Sequence, residues 1–143
     1  MRMTATDIKA YPKLTYYVKT DVPKLLMVPA IVSALNSIGQ INKTKLMLAL
    51  SWGAGPQITV KNLSRAYGEF TPNVGSNEIR IDLSLVREFE MGKGRRVVRA
   101  GNIYLVGVTL LHELVHWGDD QDGIDRPGEE GEEFERRVYG SIP

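Results

Sequence analysis

Apolar residues along this chain fall first into helical spacing, then into alternation, then into helical spacing again. From Val22 to Ile38 they recur at a helical period, but Pro29 stands inside the run. Proline has no N–H for an interior turn and suits a first turn, so the spacing predicts a fresh helix start near Pro29 and a stop at Gly39. Before it, Leu14 to Lys19 has the β-branched and aromatic character of a short strand. Lys43 to Trp52 predicts a short helix closed by GAGP, with Leu46, Leu50 and Trp52 in the core. The period then changes. QITVKNL (57–63) and the stretch around RAYGEF (65–70) predict strands, and the turn-rich TPNVGSN (71–77) separates them from a third. In NEIRIDL (77–83), Ile79, Ile81 and Leu83 alternate with Glu78, Arg80 and Asp82, the pattern of a half-buried strand. SLVREFE (84–90) returns to helix with Ser84 as its N-cap, and MGKGRR reads as a loop.

The segment IYLVGVTLLHELVHW, with Asn102 as its cap, is apolar nearly all round. Such a helix is buried inside a domain rather than laid on its surface. Trp117-Gly118 is placed to end it, GDDQDGIDRPGEE follows as a polar loop, and EEFERRVYG makes a last short helix that stops at Gly140. Helices, a small mixed sheet, a buried helix and a C-terminal helix predict an α+β fold. With no repeat, linker or low-complexity tract, residues 1–143 read as a single domain.

Composition narrows the chemistry. The chain has no cysteine, which removes disulfides and thiolate metal sites. No apolar run is long enough to span a bilayer, and the opening MRMTATDIKA lacks a signal-peptide pattern. The expectation is therefore a protein made in the cytoplasm, without a membrane partner, that reaches any outside target through a dedicated secretion system or as part of a larger chain. The net charge of +1 hides an asymmetry: residues 1–111 carry 15 Lys/Arg against 7 Asp/Glu, and residues 112–143 carry 3 against 10. The basic residues are scattered, with one tight cluster at Arg95, Arg96 and Arg99, so no nucleic-acid partner is expected.

Both histidines lie in the acidic third, within LHELVHWGDD (111–120). His112 and His116 are four apart, so on a helix they share a face one turn from each other and can reach one ion. Imidazole is a common zinc ligand, and two from one helix supply half of a tetrahedral site. Glu113 projects about 100° around the helix from His112, beside the ion rather than on it. There it can activate a zinc-bound water for attack on a carbonyl. A structural metal in a binding module is the alternative, but such a site has no use for Glu113.

A catalytic Zn²⁺ needs a third protein ligand, and without further His or Cys it must be a carboxylate. Phe134 and Val138 mark the buried side of the last helix and Glu135 adjoins it, whereas Glu129 and Glu130 lie at its solvated start. Gly131 leaves room for close packing on the histidine helix. Glu135 is adopted, with Asp119, Asp120, Asp122 and Glu132 as alternatives. Asp119 and Asp120 oppose the helix dipole at a C-terminus, a cost that a nearby cation offsets. Asp119 also suits an outer position holding a ligand histidine. GDDQDGIDRPGE approaches an EF-hand loop through Asp120, Asp122, Gly123 and Glu129, but Gly118 replaces its first acid and Pro127 interrupts it.

TLLHELVHWGDDQDG followed by EEGEEFERRVYG resembles the zincin-like toxin metallopeptidase domains of bacterial polymorphic toxins and secreted effectors. The resemblance rests on about the last 45 residues. It implies a zincin-like fold and hydrolysis of peptide bonds, with His112, His116 and a later glutamate, carried onto Glu135, as zinc ligands and Glu113 as base. It further implies a peptide or protein substrate, an immunity protein as partner, and an edge strand that aligns the substrate by β-augmentation, for which NEIRIDL is the candidate. Tyr104, Tyr139 or an arginine would stabilise the oxyanion.

Overall fold

The structure is a computed structural model that describes residues 1–72, 77–121 and 129–143. A two-residue strand, β1 (Arg2–Met3), leads into α1 (Ala5–Ala10), where the Thr4 hydroxyl accepts the Asp7 N–H at 3.1 Å. Helix α2 (Pro12–Tyr16) continues through a π-helical turn at Tyr17–Asp21 and a 3₁₀ segment at Val22–Met27. Leu14 to Lys19 is thus helical, not a strand. Leu14, Val18 and Val22 are all buried, and their spacing of four is helical; side-chain burial there overrides the β-propensity of the residues. Helix α3 (Pro29–Ser37) begins at the expected proline, and α4 (Lys43–Leu50) is capped by Asn42, whose oxygen accepts the Lys45 N–H at 2.9 Å.

Strands β2 (Gln57–Lys61), β3 (Gly68–Glu69) and β4 (Glu78–Asp82) complete a mixed sheet of order β1-β2-β4-β3. The first three are parallel, with Ile58 opposite Ile79 and Val60 opposite Ile81; β3 is antiparallel to β4, with Gly68 opposite Ile81. NEIRIDL is therefore an interior strand, and the edges of the sheet among the described strands are β1 and β3. The alternation of NEIRIDL holds at Ile79 and Ile81, which are buried, but fails at its end: Asp82 is buried as the cap of the next helix, Leu83 is half-buried and helical, and the pattern held no information about neighbours.

Helix α5 (Leu83–Glu90) is capped by Asp82 rather than Ser84: the carboxylate accepts the Ser84 N–H at 3.2 Å and the Leu63 N–H at 2.9 Å. The expected loop MGKGRR ends in the first two residues of a hairpin strand, β5 (Arg95–Val98), which pairs with β6 (Gly101–Tyr104). Helix α6 (Leu105–Asp120) follows, with Tyr104 rather than Asn102 at its N-cap position, and it is buried on most of its circumference as expected. Gly118 does not end it. A Cβ there would overlap Ile41 and the Gly39 carbonyl, so this glycine lets α6 pass close to the 39–41 turn and continue to Asp120. Helix α7 (Glu130–Tyr139) packs along α6 and stops at Gly140, which adopts a left-handed φ of 82°. The result is the α+β class read from the sequence. Among the described residues, no helix is long and apolar enough to cross a membrane.

Candidate metal centre and active site

Helix α6 sets the imidazoles of His112 and His116 one turn apart, with ring centroids 5.2 Å from each other. What faces them is the start of α7. Glu129 occupies the N-cap position, where its carboxylate accepts the Gly131 N–H at 3.2 Å. The same oxygen, Oε1, lies 2.8 Å from Nε2 of His116 and 3.3 Å from Nε2 of His112. Both Nε2 atoms thus converge on one carboxylate oxygen. The three ligand atoms lie within 4.8 Å of one another, so this donor set could hold a metal ion.

Glu135 is placed elsewhere. Its Oε1 lies 2.7 Å from Nδ1 of His112, on the opposite side of the ring from Glu129. Glu130 approaches the second histidine from the same side but more loosely, with Oε2 3.4 Å from Nδ1 of His116, an ion-pair distance. Both carboxylates are buried, and the other oxygen of Glu130 has no hydrogen-bond partner among the described residues. A carboxylate on Nδ1 holds the proton there and turns the Nε2 lone pair toward an ion, which is what a ligand histidine needs. Gly131 makes this approach feasible, because a Cβ at that position would overlap the His112 ring. Burial works to lower the pKa of His112, but the Glu135 hydrogen bond and the charges of Glu113, Glu135 and Glu129 outweigh it and raise the pKa.

The other candidates separate clearly. Asp119 is buried in the last turn of α6, with Asp120 beside it; neither joins the histidine–carboxylate group. Glu132 is exposed and pairs with Arg136 at 3.1 Å. Asp122 and Gly123, and with them most of the calcium-loop reading, lie outside the described residues, while Glu129 from that pattern faces the histidines. Glu129 is exposed, as expected of the helix start, yet it faces the histidines, whereas Glu130, also expected to be solvated, is buried. The signal available was the place of Glu129 just before the helix: an N-cap side chain folds back over the first turn instead of pointing away.

Glu113 leaves the histidine face and enters a cleft of about 270 Å³ between β3 and α7. It is 7% exposed. Burial raises its pKa most, opposed by the charges of His112 and His116 and helped by those of Glu129 and Glu69. A carboxylate with a raised pKa is a stronger base than one in water. Directly above it runs Gly68 of β3: a Cβ there would stand 2.6 Å from Thr109 Cγ2 and 2.9 Å from Glu113 Cγ. Tyr67 lines the cleft and had no sequence signal. Of the expected oxyanion donors, Tyr104 accepts a hydrogen bond from Arg95 at 2.8 Å beside Tyr17 and Phe89, and Tyr139 is buried edge-on against Phe134. Neither lines the cleft.

Compared with known families, the chain matches metallopeptidase toxin 3 over residues 7–140. No curated protein and no solved structure matches it. The chain belongs to the metallopeptidase toxin 3 family, and the match reaches well beyond the HELVH segment into α1 and α2.

Proposed function

We propose that this member of the metallopeptidase toxin 3 family is a zinc-dependent peptidase of zincin type. His112, His116 and Glu129 hold the metal, Glu135 and Glu130 orient the two histidines, and Glu113 is the general base. One observation carries the reading: Nε2 of both motif histidines meets a single carboxylate oxygen, Oε1 of Glu129, at 2.8 and 3.3 Å. Glu135, adopted from the sequence as third ligand, takes the orienting role because its 2.7 Å contact is to Nδ1.

A zinc ion held there supplies the Lewis acidity that peptide hydrolysis requires. The chain does the rest. The outer edge of β3, which pairs with β4 alone among the described strands, offers main-chain hydrogen bonds to an extended peptide and lays it across the cleft. Glu113, beneath that strand, takes the proton of the attacking water and then delivers it to the leaving amine. Its burial keeps competing bulk water away from this exchange. The test is peptide hydrolysis by the zinc-loaded protein compared with Glu113→Gln. Hydrolysis by the wild type and its loss in the variant, at unchanged zinc content, support the assignment; equal activity overturns it.

A further inference from the structure

The cleft extends past the reacting groups, and its far part has a chemistry of its own. From Glu113 it runs along α6 toward the helix N-terminus over Thr109, Val108 and Leu105, which follow one another at helical spacing. Ile142 and Pro143, beyond the reversal at Gly140, close the other side. The floor is aliphatic, for Thr109 turns its methyl toward Gly68. No lysine or arginine lines this cleft among the described residues. Its carboxylates are Glu113, which acts on the reacting bond, Glu135, which is held by His112, and Glu132, which is paired with Arg136.

Resting on the peptidase reading above, we infer that this furrow is a specificity subsite that takes an aliphatic side chain flanking the cleaved bond, of the Leu, Ile or Met kind, and rejects acidic ones. Continuity with His112 and Glu113 fixes the occupant. A peptide laid along β3 with its carbonyl at Glu113 brings a neighbouring side chain over the furrow, because the same cleft runs on from Gly68 and Glu113 over Thr109, Val108 and Leu105. An aliphatic group there replaces water against Leu105 and Val108. A carboxylate there would be desolvated facing Glu113, Glu132 and Glu135, with no lysine or arginine among the described lining residues to receive it.

The experiment uses the full chain loaded with zinc and a set of capped hexapeptides, identical except at one residue, with cleavage products located by mass spectrometry. Peptides with Leu, Ile or Met beside the cut should be cleaved about tenfold or more faster than those with Asp or Glu. Ile142→Glu changes a half-exposed position outside the core and should move the preference toward Lys or Arg. Binding of the same peptides to zinc-loaded Glu113→Gln, followed by calorimetry, gives a readout independent of chemistry. Aliphatic-selective binding that Ile142→Glu reverses, with no cleavage by the wild type, upholds the subsite while the peptidase reading falls. Cleavage indifferent to the neighbouring residue, or neither binding nor cleavage of any peptide, overturns the subsite.

Discussion

The backbone at Gly68 rests on the side chain of Glu113: a Cβ at the glycine would lie 3.0 Å from Glu113 Oε1. On the proposed reading, strand β3 would therefore set both where a peptide lies and where the base stands. Gly68→Ala should push the Glu113 carboxylate aside without touching the histidines. The expected result is a fall in kcat of about 10²-fold, the scale of a misplacement near 1 Å, at unchanged zinc content. Steady-state kinetics beside elemental analysis checks it, and an unaltered kcat would separate the strand from the base.

The two layers of carboxylates predict different losses. His112→Ala or His116→Ala should abolish stoichiometric zinc, since too few ligands remain. Glu135→Ala and Glu130→Ala should weaken zinc about 10- to 100-fold, as outer partners do, and Glu129→Ala should weaken it more than either. Chelator competition measures all five. If Glu135→Ala strips the metal while Glu129→Ala retains it, the ligand and orienting roles are exchanged.

Much of this was legible in the chain before any coordinates. The isolated HELVH in an apolar helix pointed to the candidate ligands and base, because polar side chains in such a helix need a use. The C-terminal helix and the role of Gly131 followed from Phe134, Val138 and the missing Cβ. The choice between Glu129 and Glu135 did not, since it depends on which ring nitrogen each carboxylate meets, and helical periodicity says nothing about that. Edge position was equally silent: Ile79 and Ile81 are buried whether their strand is central or peripheral. The π-helical turn at Tyr17–Asp21 escaped because Thr15, Tyr16, Tyr17, Val18 and Thr20 all favour strands singly, and only the buried spacing of Leu14, Val18 and Val22 reveals the turn.

Glu113 should also trade stability for function. Burial raises its pKa above the unfolded value, so its stabilising share is complete at pH below that value and is lost as pH rises through the folded one. At neutral pH the ionised carboxylate weighs against the fold. Glu113→Gln should therefore abolish hydrolysis, keep zinc, and raise the melting temperature of the metal-free protein in neutral buffer, with a smaller gain in mildly acidic buffer. Thermal unfolding at both pH values decides; a loss of stability at neutral pH would contradict the burial argument.

Asp82 shows the opposite sign, away from the metal. It ends β4 and caps α5, and its carboxylate accepts the Leu63 N–H at 2.9 Å, the Ser84 N–H at 3.2 Å and the Ser84 hydroxyl. Burial works to raise its pKa, but these hydrogen bonds outweigh it and hold the carboxyl below its usual range. Its stabilising share is therefore present above the unfolded value of about 4 and is lost as pH falls through the depressed folded value. Asp82→Asn keeps one accepting oxygen but brings an amide donor toward backbone N–H groups, which should cost about 1 kcal/mol at neutral pH, the scale of a lost helix cap. The gap between the two proteins should then close in acid as the wild-type carboxyl protonates. A functional consequence follows from the backbone of the same residue, whose N–H donates to the Tyr67 carbonyl at 2.7 Å and so ties down the residue before Gly68. Loosening the end of β4 should slacken β3 above Glu113, lowering kcat by less than Gly68→Ala does and leaving zinc in place. Chemical denaturation across the acidic range, run beside kinetics at neutral pH, checks both halves. A stability gap that stays constant down to the lowest pH would show that the ionised carboxylate of Asp82 is not what holds this corner.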